Sequence, residues 1–80
     1  MGTRLRRTSG HDIVKILCNR FGFRIVRQRG SHIVLRKETD TGSVGTVVPD
    51  HPKVAIGTLR NALKLARVPL EDFAFEQGRH

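Results

Sequence analysis

At 80 residues and 38% hydrophobic content, the chain has enough for one domain with a single modest core. Phe21, Phe23, Phe73 and Phe75 are its only aromatic residues, so that core must be thin and mostly aliphatic. Fifteen Lys and Arg against seven Asp and Glu leave a formal charge of +8, an excess that draws in polyanions: nucleic acid first, then an acidic protein, then an anionic membrane surface.

No apolar run approaches the roughly 20 residues that span a bilayer. The basic stretch 1–8 lacks the apolar segment of a signal peptide, so a cytoplasmic protein with no membrane partner is expected. Cys18 is the sole cysteine. It has no partner for an internal disulfide or a Cys-based metal site, and its place in an apolar helical pattern reads as buried filler.

Taken in chain order, residues 1–8 read as a flexible basic arm. Ser9 reads as an N-cap, with Asp12 completing a weak capping box. Ile13, Ile16, Leu17 and Phe21 recur at helical spacing, and Gly22 suits a helix end. The first helix is therefore expected over 10–21. The segment 23–38 reads as a β-hairpin. A three-residue loop, Gln28-Arg29-Gly30, with Gly30 at the positive-φ bulge position, separates the faces best. It pairs Arg27 with Ser31, places Phe23, Ile25, Ile33 and Leu35 on the core face, and leaves Arg24, Val26, His32, Val34 and Arg36 on the other.

Residues 38–43 form a polar turn, and 43–48 a third strand halted by Pro49. The loop 50–53 leads to a second helix over 55–66, with Ile56, Leu59, Leu63 and Ala66 on one stripe. Pro69 ends it, and 70–76 is expected to make a short helical turn that packs Leu70 and Phe73 on the domain. The expected fold is α+β, in the order α-β-β-β-α, with helices on one face of a three-stranded antiparallel sheet. Residues 9–76 are expected to form this single domain, followed by a disordered tail at 77–80.

Few residues are suited to chemistry. RNA can be cut through its own 2′-hydroxyl, given a base, a proton for the leaving group and positive charge on the phosphate. Histidine suits the first two tasks and arginine the third. His32 begins a strand just past Gly30-Ser31, with Arg24, Arg27, Arg29 and Arg36 close in the hairpin. The spacing alone fits a proton carrier and an ordinary exposed strand residue equally well. His51 lies in a loop able to approach the hairpin, although spacing favours a loop histidine that contacts backbone. His11 suits a solvated or substrate-contacting position in the first helical turn better than a catalytic one, and His80 suits a disordered end. The histidines and carboxylates are too scattered for a metal site, and no glycine-rich nucleotide loop is present. No cofactor is expected. The basic residues of the arm (Arg4, Arg6, Arg7) and of the helices (Lys15, Arg20, Arg60, Lys64, Arg67) serve a polyanion or simple solubility alike.

Three motifs stand in a fixed order: Gly30-Ser31-His32, then Val48-Pro49-Asp50-His51, then Gly57-Thr58-Leu59-Arg60. Together they resemble the HicA-type mRNA interferase toxins of bacterial toxin–antitoxin pairs, over roughly residues 9–75. The resemblance implies a fold similar to double-stranded RNA-binding domains and a metal-independent ribonuclease acting on mRNA, with His32 at the catalytic position. It also implies a HicB-type antitoxin that covers the active face. Gly30 would shape the turn that presents His32, Ser31 would contact phosphate, and His51 matches a position where the family often carries histidine. Arg24, Arg27, Arg29, Arg36 and Lys53 would bind the RNA, while Gly57, Thr58 and Leu59 would start and pack a helix.

Arg67 stands where such proteins often place glycine, which puts the exit from the second helix in question. The open face offers no aromatic residue to stack bases. Two other functions remain: a module that binds structured RNA without cutting it, and a basic subunit for an acidic protein partner.

Overall fold

The first helix starts where a hydroxyl can satisfy a free backbone amide. In the computed structural model, which describes residues 4–79, the Ser9 side chain accepts the Asp12 N–H at 3.0 Å and opens α1 (Gly10–Arg20). Asp12 does not close the expected box. Its carboxylate accepts instead from the Thr8 hydroxyl, at 3.0 Å. Ile13, Ile16 and Leu17 form the buried stripe, and Gly22, at φ 78°, turns the chain out.

Three strands follow, β1 (Arg24–Arg29), β2 (His32–Thr39) and β3 (Gly42–Pro49), paired antiparallel in the order β1-β2-β3. Next come α2 (Ile56–Ala66) and α3 (Leu70–Gln77). The fold is thus the α+β arrangement expected, with the 70–76 turn realised as a full short helix. No helix among the described residues is long and apolar enough to cross a membrane.

The core lies between the helices and one face of the sheet. Ile33 and Leu35 of β2 and Val44 and Val48 of β3 meet Leu17 of α1, Leu59 and Leu63 of α2, and Phe73 of α3. Thr46 also points inward, and its hydroxyl donates to the Ala62 carbonyl at 2.7 Å, so the one polar side chain in this part of β3 is satisfied. Phe73 stacks on Phe21 with centroids 6.3 Å apart, joining α3 to the end of α1. Cys18 is half-buried, and burial raises its thiol pKa, which suits a filler and not a nucleophile.

Several expectations need correction. The hairpin loop is the two-residue Gly30-Ser31, not Gln28-Arg29-Gly30: Arg29 pairs with His32, and Arg27 pairs with Val34 instead of Ser31. Gly30 takes φ 58° and Ser31 does not have positive φ, as in a type II′ turn. A bulge at Val26, between Ile25 and Arg27, restores the alternation that the tighter turn would otherwise break.

Ile25 shares the core side with its partner Leu35 but is 55% exposed, because β1 is an edge strand and all six of its residues are exposed. Leu70 stays exposed at the first position of α3, while Phe73, Ala74 and Gln77 form that helix's buried stripe. The turn after β2 shrinks to Asp40-Thr41 because the strands run on to Thr39 and from Gly42.

The expected arm and tail meet each other in the described residues. The Gln77 side chain exchanges two hydrogen bonds with the Arg6 backbone, at 2.9 and 2.8 Å. Thr8 pairs with Val54, whose N–H donates to the Thr8 carbonyl at 2.8 Å. Residues 1–3 of the expected arm, and His80 with its expected disorder, lie outside the described residues.

The exit from α2 is settled by backbone conformation. Arg67 adopts φ 58° and ψ 37°, the left-handed C-cap that glycine occupies at least cost. Its N–H donates to the Lys64 carbonyl at 3.1 Å, and that of Val68 to the Leu63 carbonyl at 3.0 Å. A side chain in this conformation costs about 1–2 kcal/mol, partly offset by the extra unfolded-state freedom of glycine. Arg67→Gly is therefore expected to stabilise the domain by about 0.5–1 kcal/mol and to raise Tm by about 3–6 °C. Thermal melts of the two proteins check this, and an unchanged or lower Tm would show that the Arg67 side chain supplies a compensating contact.

Candidate functional site

The face of the sheet turned away from the helices is assembled by register. Directly paired residues share a face, and alternate residues along a strand share it too. The pairs Arg29–His32, His32–Pro49, Arg27–Val34, Val34–Val47, Arg24–Arg36 and Arg36–Gly45 therefore all lie on the open face. The bulge at Val26 is what brings Arg27 and Arg29 to the same side as Arg24. The result is four arginines around Val34 and Val47, with His32 at the end nearest the Gly30 turn.

Distance along the strands ranks these arginines. Arg29 is the direct cross-strand neighbour of His32. Arg24 and Arg36 face each other four residues further on, about 13 Å along the strand at 3.3 Å per residue. Two guanidinium groups directly opposite repel. Glu38, also on the open face, approaches Arg24 at 3.5 Å, and both side chains are largely exposed. Arg24 and Arg36 therefore lie too far off to touch a group held at His32, though they can hold the continuation of an extended polyanion.

His32 and His51, far apart in sequence, line one open cleft of about 440 Å³ between the end of the sheet and α2. Lys53 lines it as well, with Val47, Pro49 and Val54 on the sheet side and Thr58, Asn61 and Leu65 on the α2 side. Thr58, expected to pack, is exposed on this cleft instead, whereas Leu59 is fully buried. Both histidines are exposed. The site therefore offers two imidazoles, an adjacent guanidinium and an ammonium: two groups able to exchange protons and two fixed cations.

The loop bearing His51 is held in place by main-chain bonds. Asp50 N–H donates to the Ser31 carbonyl at 2.6 Å. The Gln28 side-chain amide spans the same joint, reaching the Gly30 carbonyl at 3.0 Å and the Asp50 carboxylate at 3.2 Å. The Gly10 N–H donates to the His51 carbonyl at 2.9 Å. The His51 carbonyl thus anchors the loop, while its side chain lines the cleft and, among the described residues, makes no hydrogen bond to the backbone. Ser31 is exposed in the turn beside His32 and serves the joint through its carbonyl.

Gln28, Asp50 and Gly10 were not singled out as site residues from the sequence. Their roles are contacts between distant segments, which no local pattern announces. Among the described residues, no three or more His, Cys, Asp or Glu side chains come together as a metal-binding group.

The structure thus presents a basic open sheet face that ends in a cleft lined by two histidines. Residues 10–68, well over half of the chain, match the family model described as the HicA toxin of bacterial toxin–antitoxin systems, and the chain belongs to that family. Neither the curated proteins nor the solved structures gave a match.

The matched segment begins at Gly10, the tightest contact of the joint. A Cβ at this position would sit 1.9 Å from the Pro49 carbonyl oxygen and 3.2 Å from the Asp50 Cα, both backbone atoms with no freedom to swing away. Gly10→Ala is expected to cost about 2–3 kcal/mol, as overpacking does in a tight interior. Gly57 is the matched control: a Cβ there meets nothing within 4 Å, so Gly57→Ala in α2 should be neutral or stabilise by up to about 1 kcal/mol. Urea midpoints of the two variants against wild type check the contrast. Equal midpoints for Gly10→Ala and wild type would show that the joint yields without cost.

Proposed function

We propose that this toxin is an endoribonuclease that cuts mRNA without a metal ion, using His32 and His51 to move protons. The single observation that carries the reading is that the two histidines line one cleft while Arg29 lies directly across the strand pair from His32. One imidazole takes the proton from a 2′-hydroxyl. The freed oxygen attacks the adjacent phosphorus, the bond to the 5′-oxygen breaks, and the second imidazole, in its protonated form, gives that oxygen a proton. The products are a 2′,3′-cyclic phosphate and a 5′-hydroxyl. His32 is assigned the principal role and His51 the second.

Arg29 and Lys53 are placed to hold charge on the phosphate as it develops, and the Ser31 hydroxyl to contact a phosphate oxygen. Arg27, Arg24 and Arg36 carry the flanking backbone across the open face. The same face suits a HicB-type antitoxin whose acidic groups would cover the cleft, since it presents four arginines and little neutralising charge.

Because the nucleophile belongs to the substrate, DNA is spared. With EDTA present, wild-type protein is expected to cut single-stranded RNA and to leave its DNA counterpart intact. A positioned acid or base is worth about 10²–10⁴ in rate, so His32→Ala should lose at least a hundredfold. His51→Ala should lose less, because water can replace a proton donor. Both positions are exposed, so stability should change by no more than about 0.5 kcal/mol, and melts verify that the variants are folded. His32→Ala cutting at the wild-type rate would remove His32 from the mechanism. If wild type binds RNA in a gel shift and leaves it intact, the domain is a binding module.

A further inference from the structure

The cleft has two walls of different chemistry, and the proton chemistry uses only one. His32, His51 and Lys53 form its polar side. The opposite side is built on α2, where Thr58, Asn61 and Leu65 recur at helical spacing and line the cleft together with Val47 of the edge strand β3. Among the described residues, Lys53 is the only Lys or Arg lining the cleft, so this second wall is not made for phosphate. Nor is it a sealed core: Leu65 is 58% exposed and Val47 is 39% exposed. Among the described residues, the Asn61 side chain makes no hydrogen bond to the protein. Uncovered apolar surface flanking a free amide, in a cleft of about 440 Å³, is the make-up of a small-molecule subsite: mostly apolar, with a few orienting polar groups.

We infer that this wall is a nucleobase subsite, in which Asn61 reads the edge of the base next to the scissile phosphate while Val47 and Leu65 contact its flat faces. The inference rests on the ribonuclease reading for the identity of the ligand. An RNA strand whose phosphates lie on Arg27 and Arg29, with one phosphate at His32, has its adjacent base within reach of the neighbouring wall. Unstacked RNA bases are recognised by this combination of face contact and edge hydrogen bonding. A side-chain amide carries one acceptor and two donors, so it pairs in bidentate fashion with a base edge that has an adjacent donor and acceptor. Aliphatic side chains can cover the base faces, which accounts for a base-reading site on a surface with no aromatic residue.

Two measurements test the subsite separately from the catalysis. In the first, four RNAs that differ only in the base beside the cut are compared for wild type, Asn61→Ala and Asn61→Asp. Wild type should favour one base. Either variant should lower kcat/KM for that base by roughly ten- to a hundredfold, the worth of one bidentate contact, and so level the four. In the second, ¹⁵N-labelled wild-type protein is titrated with each of the four ribonucleoside 3′-monophosphates. The Asn61 side-chain amide signal should move most for the favoured base.

If RNA is cut with the same preference by wild type and both variants, and the Asn61 signal stays still, the ribonuclease stands and the subsite is overturned. If no RNA is cut but the Asn61 signal responds selectively, the subsite stands and the ribonuclease reading falls. If the signal moves only when the antitoxin is added, the wall docks protein and the inference is overturned.

Discussion

The site depends on one close contact: the amino end of α1 against the carboxyl end of β3. There the Gly10 backbone touches the Pro49 carbonyl, and its N–H is bonded to the His51 carbonyl. Only a residue without a side chain permits that approach. The contact fixes where the chain leaves the sheet, and therefore where His51 goes. On the other side of the same loop, the Asp50 N–H and the Gln28 amide tie it to the Gly30-Ser31 turn from which β2, and His32, begin. Two histidines nineteen positions apart in the sequence thus share a cleft because three segments are bonded at one joint.

The open face sets stability against function. Arg24 and Arg36 are directly opposed in the sheet, a pairing that costs energy in the free protein. The exposed Glu38 contact offsets little of it, because surface ion pairs are weak. An arginine-rich edge strand does bring one benefit, since charge along β1 discourages pairing with another chain. Under the proposed function, its larger use would be to offer an extended polyanion several contacts at strand-repeat spacing.

Much of this was legible in the sequence, and the misses have a common cause. Helices with a clear buried stripe (Ile13, Ile16, Leu17; Leu59, Leu63, Ala66) and the capping Ser9 were readable because their signals are local. The open-face placement of His32 and Arg36 followed from alternation along β2. The hairpin register did not follow, because the loop that best separates apolar from charged residues presupposes straight strands. The chain instead uses a tight turn and a bulge, and it leaves Ile25 exposed on an edge. The family resemblance raised a question at Arg67, and the backbone answered it: arginine takes up the left-handed conformation. His51 could be suspected from its loop, but the contacts of Gly10, Gln28 and Asp50 that position it are long-range and carry no pattern.

β1 connects these points. None of its six residues is buried, so it is held mainly by its ladder to β2 and by the buried Phe23 just before it. It is also the strand that carries three of the four open-face arginines. Self-repulsion acts most strongly on the element with the least packing to resist it, and a bound polyanion or acidic partner relieves that repulsion where it is greatest. A ligand that binds the folded state alone stabilises it by mass action. Binding on this face should therefore be coupled to the order of β1. Through the turn that joins β1 to β2 and bonds to Asp50, it is coupled as well to the joint that positions both histidines. A small domain with a thin core can in this way leave part of the ordering of its site to the partner that occupies it.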